Sequence, residues 1–310
     1  MYFYPKLDDK IYPKSSKLIA KIFFNKRDLK SDYIDKKISK EIINFYDLLK
    51  KSNESKSEWT WINKKKRSEF INSLEEKNYL KTSNLLANCF RNNTSFGIIS
   101  WHWSKFKEKS DKEKFVSHLT KDYLAWSEFT KRNNYDENHL DTKKNFGNFY
   151  GLIINKKKIM IDTPRHDYYS SKIMDLLTNI KKNKKFLVEI GGGYGGVIFQ
   201  LLKRNFKDVY LNVDILETLL INYYFLRKYT KKKIIICDLE NPKKFNNKNI
   251  YLSTRSYFSK LKSNIDVVFN SNSLSEMSKK DVKYYFKYIN LFKSKYIYHQ
   301  NSDVLLYPNS

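Results

Sequence analysis

The chain has 310 residues, room for about two domains at ~150 residues each. Hydrophobic residues at 41% and charged residues at 30% exclude a collagenous or wholly disordered chain. The net charge of +27 rests on 52 lysines against 8 arginines, beside only 3 alanines and 8 glycines, a skew that AT-rich codons produce without selection for charge.

Residues 1–145 read as a helical domain. Ile38, Ile42, Ile43, Tyr46 and Leu49 recur at helical spacing, as do Phe70, Ile71 and Leu74, then Leu85, Leu86 and Cys89. A further helix is expected from Ser110, with Glu113 in the capping-box position and Phe115, Val116, Leu119, Tyr123 and Trp126 along one face. All five tryptophans lie in this half, where rings fill a helical core or offer a stacking face. After Gly147 the style changes. Residues 150–154 and 158–162 predict a hairpin around Asn155-Lys156-Lys157, and 168–180 predict a helix.

From residue 186 strands and helices alternate. Strands are expected at 186–190, 209–213, 234–237, 265–269 and 295–299, with helices at about 195–204, 216–229 and from Ser278, capped with Asp281. This alternation builds a doubly wound, mostly parallel α/β sheet over residues 146–310. No stretch reaches the ~18 apolar residues of a membrane span. Met1-Tyr2-Phe3-Tyr4-Pro5 lacks the order of a secretion signal, and Cys89 and Cys237 form no ligand cluster, so a cytoplasmic setting is expected.

The segment with chemistry is Val188-Glu189-Ile190-Gly191-Gly192-Gly193-Tyr194-Gly195-Gly196. In a glycine-poor chain it holds five of the eight glycines within six positions. Between a strand and a helix, such residues let backbone approach a ligand, and the helix N-terminus adds free N–H groups. Two ligands fit. Gly191, Gly193 and Gly196 satisfy the dinucleotide fingerprint G-x-G-x-x-G. Glu189, Gly191, Gly193 and Gly195 satisfy E-x-G-x-G-x-G, the first motif of class I S-adenosylmethionine-dependent methyltransferases. The carboxylate of Glu189 favours the second, because it suits an ammonium and repels a pyrophosphate.

Asp214 ends the second strand, where a carboxylate accepts from both ribose hydroxyls of either cofactor. Asp238, after the third strand, is either an adenine contact or a turn residue. Asn270-Ser271-Asn272-Ser273 follows the fourth strand, at the edge where open sheets bind ligands.

The string from Leu187 to Gly196 resembles the E-I-G-G-G-Y-G-G signature of the bacterial sugar O-methyltransferase family. Arg165-His166-Asp167-Tyr168-Tyr169, Asp214 with Leu216-Glu217 and Tyr223-Tyr224, and Ser273-Leu274-Ser275-Glu276-Met277 are similar to further segments of that family. The likeness covers residues 146–303. It implies a Rossmann-like methyltransferase domain, S-adenosyl-L-methionine as cofactor, held by Glu189, Gly191, Gly192, Gly193, Tyr194, Gly195, Asp214, Asp238 and Asn270, and a sugar or sugar-nucleotide substrate. The last two strands of such sheets find no place after Asp303, so either the hairpin at 150–162 replaces them or the sheet is shortened.

A sugar hydroxyl is a weak nucleophile, so a general base is expected. Glu276 is the first candidate, against a role as helix-terminal charge. His299, ending the fifth strand, is the second. Arg165 and His166 are candidates for binding substrate. His102, His118 and His139 are expected to be structural, and no compact ligand spacing suggests a metal. Scattered lysines fit a solvated surface better than a nucleic-acid groove, which favours arginine, so nucleic acid is not the expected partner. A nicotinamide-dependent oxidoreductase and a polyanion-binding protein with a vestigial nucleotide site are the competing readings.

Overall fold

In the computed structural model, residues 2–3, 19–50, 58–133, 137–142, 146–239 and 244–301 are described. Strands β1 (Tyr2–Phe3) and β2 (Ala20–Phe23) precede helices α1 (Tyr33–Leu49), α2 (Glu58–Lys65), α3 (Ser68–Glu75), α4 (Tyr79–Ala87) and α5 (Lys109–Asn133). A hairpin of β3 (Gly151–Ile154) and β4 (Lys157–Met160) leads to α6 (Thr163–Thr178). Alternation then begins with β5 (Phe186–Ile190), α7 (Gly196–Lys203), β6 (Val209–Val213), α8 (Leu216–Tyr229) and β7 (Lys233–Cys237). It continues through β8 (Asn249–Ser253), α9 (Arg255–Phe258), β9 (Val267–Ser271), α10 (Lys279–Leu291) and β10 (Tyr296–Gln300).

The second group of strands forms one parallel sheet in the order β10-β9-β5-β6-β8-β7. β5 and β6 are buried along their whole length, as strands covered by helices on both faces must be. Side chains of β5 alternate between the two faces. Leu187 joins the core under α6, α7 and α8, whereas Phe186, Val188 and Ile190 meet Phe258, Tyr285 and Ile289 of α9 and α10. The chain passes from β5 to β6 on one side and later returns to β9 on the other. This Rossmann-like switch point opens a crevice beyond the strands' C-terminal ends.

Three expectations need correction. The segment Asn249–Ser253 is a strand, placed between β6 and β7, so the expected third strand lies one position further out, at the sheet edge. Its Asn-Ile-Tyr-Leu-Ser sequence holds too short an apolar run to stand out among flanking lysines and asparagines. The hairpin does not extend the parallel sheet. It pairs with β2 (Ile22↔Leu152) in a separate antiparallel sheet ordered β1-β2-β3-β4. Among the described residues the parallel sheet stops at β10.

Third, the front half is not a self-contained helical unit. Its β2 strand crosses the boundary expected at 145/146, and Ile42, Phe70, Trp126, Phe199 and Phe269 share one core. The apolar stripe of α1 forms as its spacing predicts and packs on α8, where Tyr224 donates to Asp35 (2.9 Å), Tyr223 to Glu41 (2.6 Å) and Lys228 to Asp35 (2.8 Å). Helix α5 starts at Lys109 rather than after Ser110, and the Asp111 carboxylate accepts from the N–H groups of Lys107 and Glu108. The capping pair Ser278/Asp281 opens α10 as expected. Among the described residues no helix is long and apolar enough to cross a membrane.

Candidate functional site

A cavity of about 1100 Å³ lies at the switch point, beyond the C-terminal ends of β5, β6, β8 and β9. Its floor is the glycine loop. Gly191 donates to the carbonyl of Val213 (2.8 Å) and Gly192 to the side chain of Asn212 (3.1 Å), so the loop is stitched to β6. Gly191 has φ +73° and would place a Cβ 2.1 Å from Ser273 Oγ, so protein fills the space on that side. Gly193 has φ +56°, and its Cβ direction meets only Ile98, no nearer than 3.7 Å. There the bare backbone is touched by protein only at ordinary van der Waals distance, and as part of the cavity lining it leaves room for a ligand to approach. The Gly193 N–H donates to Asp214 (3.0 Å), so the ends of β5 and β6 are tied together at this point.

Three carboxyl groups line the cavity with affinities for protons well above the ordinary range. Burial pushes Asp214 up to about 7, against the hydrogen bonds from Ile215 and Gly193 and the field of Arg67. Burial also raises Glu189 to about 7, although the Tyr210 hydroxyl donates to it. Glu276, in the 3-10 turn Ser273–Glu276 after β9, is raised to about 7 by burial and then by the charge of Asp214. All three share the cavity wall, so the field of one opposes ionisation of the next.

The front half supplies the opposite wall through Trp59, the backbone of 97–100 and Lys105. Asp162, in the left-handed region at φ +64°, accepts from the N–H of Ser100 (3.0 Å) and from its hydroxyl. Arg165 pairs with Asp162 and with Asp122 (3.3 Å). Burial opposes ionisation of Asp162, but Arg165, His166 and the Ser100 hydrogen bonds outweigh it and hold the carboxyl down to about 2. His166 lies in the first turn of α6, packed where any side chain on Gly196 would sit, with Nδ1 3.3 Å from the Tyr194 hydroxyl. Burial lowers it to about 4, so the ring is neutral at pH 7.

Glu189, Gly191, Gly192, Gly193, Asp214, Glu276, Arg165 and His166 therefore meet in one cavity. Tyr194 lines the cavity too, and also belongs to the core. Its ring is buried against Phe90 and Phe225 beneath the loop. Asn270 stands behind the wall, donating to the carbonyl of Ile190 (2.8 Å) and to Ser273, and so holds the turn after β9 to the end of β5. Asp238 follows the edge strand β7 and is not in the cavity lining. The corresponding wall comes instead from Leu239 and from Thr254, Arg255 and Ser256 after β8. His299 is exposed on edge strand β10, beside Asn301 and away from the cavity. Ser100, Asp162 and Arg255 also line the cavity, and among the described residues Trp59 is the one tryptophan there. Only the fold brings them to the glycine loop, so no local pattern marks them. Among the described residues no group of three or more His, Cys, Asp or Glu is placed to hold a metal ion.

No family model and no curated protein matches the chain. Among solved structures it is similar to Haemonchus contortus phosphoethanolamine N-methyltransferase 2 in complex with S-adenosyl-L-methionine, at 17% identity and a TM-score of 0.25. It is similar to the same enzyme in complex with phosphomonomethylethanolamine and S-adenosylhomocysteine, at 18% identity and a TM-score of 0.25. Each match covers 38% of this chain and spans 24% of the other. A likeness of that extent adds nothing to what the sheet order already shows.

Proposed function

We propose that the protein is an S-adenosylmethionine-dependent methyltransferase acting on a hydroxyl of a sugar, either nucleotide-linked or part of a surface glycan. The observation that carries the reading is Gly193: left-handed, in the cavity lining with no crowding protein atom on its Cβ side, and hydrogen-bonded to Asp214. The residues present fit the cofactor. The bare loop would lie against its nucleoside, Asp214 would accept from the ribose hydroxyls, and Glu189 would face the methionine ammonium. Leu239, Thr254 and Arg255 would border the adenine, in place of Asp238. When bound, the cofactor supplies an electrophilic methyl group on a positively charged sulfur.

The chain's own residues do the rest. Glu276 lines the same cavity and is raised to about 7, a value matched to base work near neutrality. It would take the proton that the acceptor hydroxyl loses as its oxygen gains the methyl group, while the sulfur–methyl bond breaks and the sulfur keeps the electron pair as a neutral thioether. Trp59 offers a flat apolar face suited to a sugar ring, with Ser100 and Asn272 as polar partners. Lys105, Lys260 and Lys280 line the cavity and favour an acceptor that carries phosphate.

The test is calorimetry with S-adenosylhomocysteine and, separately, with NADH. Binding of the first that weakens on Asp214→Ala supports the reading. Binding of NADH alone replaces it with the oxidoreductase reading, and absence of both ends it.

A further inference from the structure

Among the described residues Arg67 is the largest fully buried side chain, with 0% exposure, and it comes from the front half, at the residue preceding α3. Its Nε and Nη2 donate to the carbonyl of Phe96 (3.1 and 2.8 Å), and its Nη1 donates to Thr218 Oγ1 (3.1 Å). The guanidinium carbon lies 4.9 Å from the centre of the Trp59 ring. Trp59 and Thr218 both line the cavity, so Arg67 sits directly behind its wall. No ion pair joins it to a described carboxylate, and burying an uncompensated charge is costly. The charges it feels most are those of Glu217 and then Asp214.

We infer that Arg67 is a positioning residue of the nucleoside pocket: its buried guanidinium is held to Thr218 in the first turn of α8, the helix that starts just after Asp214, and from there it favours the carboxylate form that receives the ribose. The inference rests on the reading of the cavity as an adenosyl site. The groups facing Asp214 decide the sign. Glu217 on α8, Glu189 on β5 and Glu276 in the turn after β9 favour the protonated form, and Tyr210 and Tyr285 are neutral near pH 7. Arg67 is the cation among them that opposes it. An ionised carboxylate accepts from both ribose hydroxyls while it holds the N–H groups of Gly193 and Ile215.

The experiment is calorimetric titration of the full chain with S-adenosylhomocysteine from pH 5.5 to 9. Wild type, Arg67→Met, Arg67→Lys, Asp214→Asn and the double variant Arg67→Met/Asp214→Asn are compared. In the wild type, affinity rises with pH and then levels off. Arg67→Met moves the midpoint up by about one pH unit, which weakens binding roughly 5- to 10-fold at pH 7 and hardly at pH 9. Arg67→Lys restores most of the difference, and in the Asp214→Asn background Arg67→Met moves no midpoint. A loss by the same factor at every pH, or no loss, overturns the proposal. Should Arg67→Met melt below the assay temperature, Arg67→Lys and Thr218→Val decide it: a wild-type profile for Lys and a smaller upward shift for Val support it, and pH-independent losses in both overturn it. Wild-type protein that binds no S-adenosylhomocysteine at any pH overturns the site reading instead.

Discussion

The glycine loop separates two kinds of steric demand, and alanine substitution at Gly191 and Gly193 should tell them apart. Both have positive φ, so either change brings a left-handed alanine at about 1–2 kcal/mol. At Gly191 the new methyl also lands 2.1 Å from Ser273 Oγ and 2.4 Å from its Cβ. Ser273 is not free to move, because it donates to the Ile190 carbonyl (3.2 Å) and accepts from Asn270. Overpacking of this kind adds about 1–3 kcal/mol, for about 2–5 kcal/mol in all. At Gly193 no protein atom approaches within 3.7 Å, so the stability loss stays near the conformational 1–2 kcal/mol. The methyl group there points into ligand space, and S-adenosylhomocysteine affinity falls about 10- to 100-fold, the equivalent of roughly 1.4–3 kcal/mol. Urea unfolding and calorimetry on both variants measure the two quantities separately. In Gly191→Ala/Ser273→Gly the overpacking part returns and the left-handed part stays. Equal unfolding losses at the two glycines, or unchanged affinity for Gly193→Ala, would refute the assignment of Gly193 to the ligand and Gly191 to the protein.

Other outcomes follow from the same geometry. Glu276→Gln should lower methyl transfer by about 10²–10⁴-fold while leaving S-adenosylhomocysteine affinity within a few-fold. At saturating cofactor the wild-type rate should climb through a midpoint near pH 7, because the base form of Glu276 exists only above its raised value, and the variant should lose that climb. His299→Ala, on the exposed edge strand, serves as the control and should match wild type in both assays. Asp167 is fully buried and accepts from Trp126 Nε1 (2.7 Å) and from Arg204 Nε (3.1 Å) and Nη2 (2.6 Å). Asp167→Asn should therefore cost about 3–5 kcal/mol in chemical denaturation, because it removes the charge from a buried, doubly hydrogen-bonded ion pair with Arg204. A loss under 1 kcal/mol would show that water reaches the pair.

What the sequence made legible was local. The glycine loop announced itself because five glycines in a chain so poor in them need a physical reason, and Asp214 and Glu276 followed from their places at strand ends. The alternation after residue 186 was readable because buried parallel strands such as Phe-Leu-Val-Glu-Ile are short, apolar runs. β8 was not readable, and one unseen strand moved the strand that precedes Asp238 one position outward, so that β8 supplies Thr254, Arg255 and Ser256 to the crevice. His299 failed for a related reason: its strand was found, but not that it lies at the sheet's open edge, two strands from β5. Arg67, Trp59 and Asp162 carry no local signature. A buried arginine looks like a surface one until its partners at Phe96 and Thr218 are known.

The stitching of early segments to late ones also sets a demand on biosynthesis. Helix α1 finishes its apolar stripe long before α8 exists, and the Asp35–Tyr224 contact joins residues 189 positions apart. Helix α4 covers part of that stripe soon after, but at a ribosomal pace of about 5–20 residues per second the side facing α8 waits roughly 10–40 seconds for its partner. Strand β2 likewise remains an unpaired edge until β3 emerges. The nascent chain thus carries sticky surface through much of its own translation, and its yield in a cell should depend on chaperone capacity more steeply than that of a protein with neighbouring contacts.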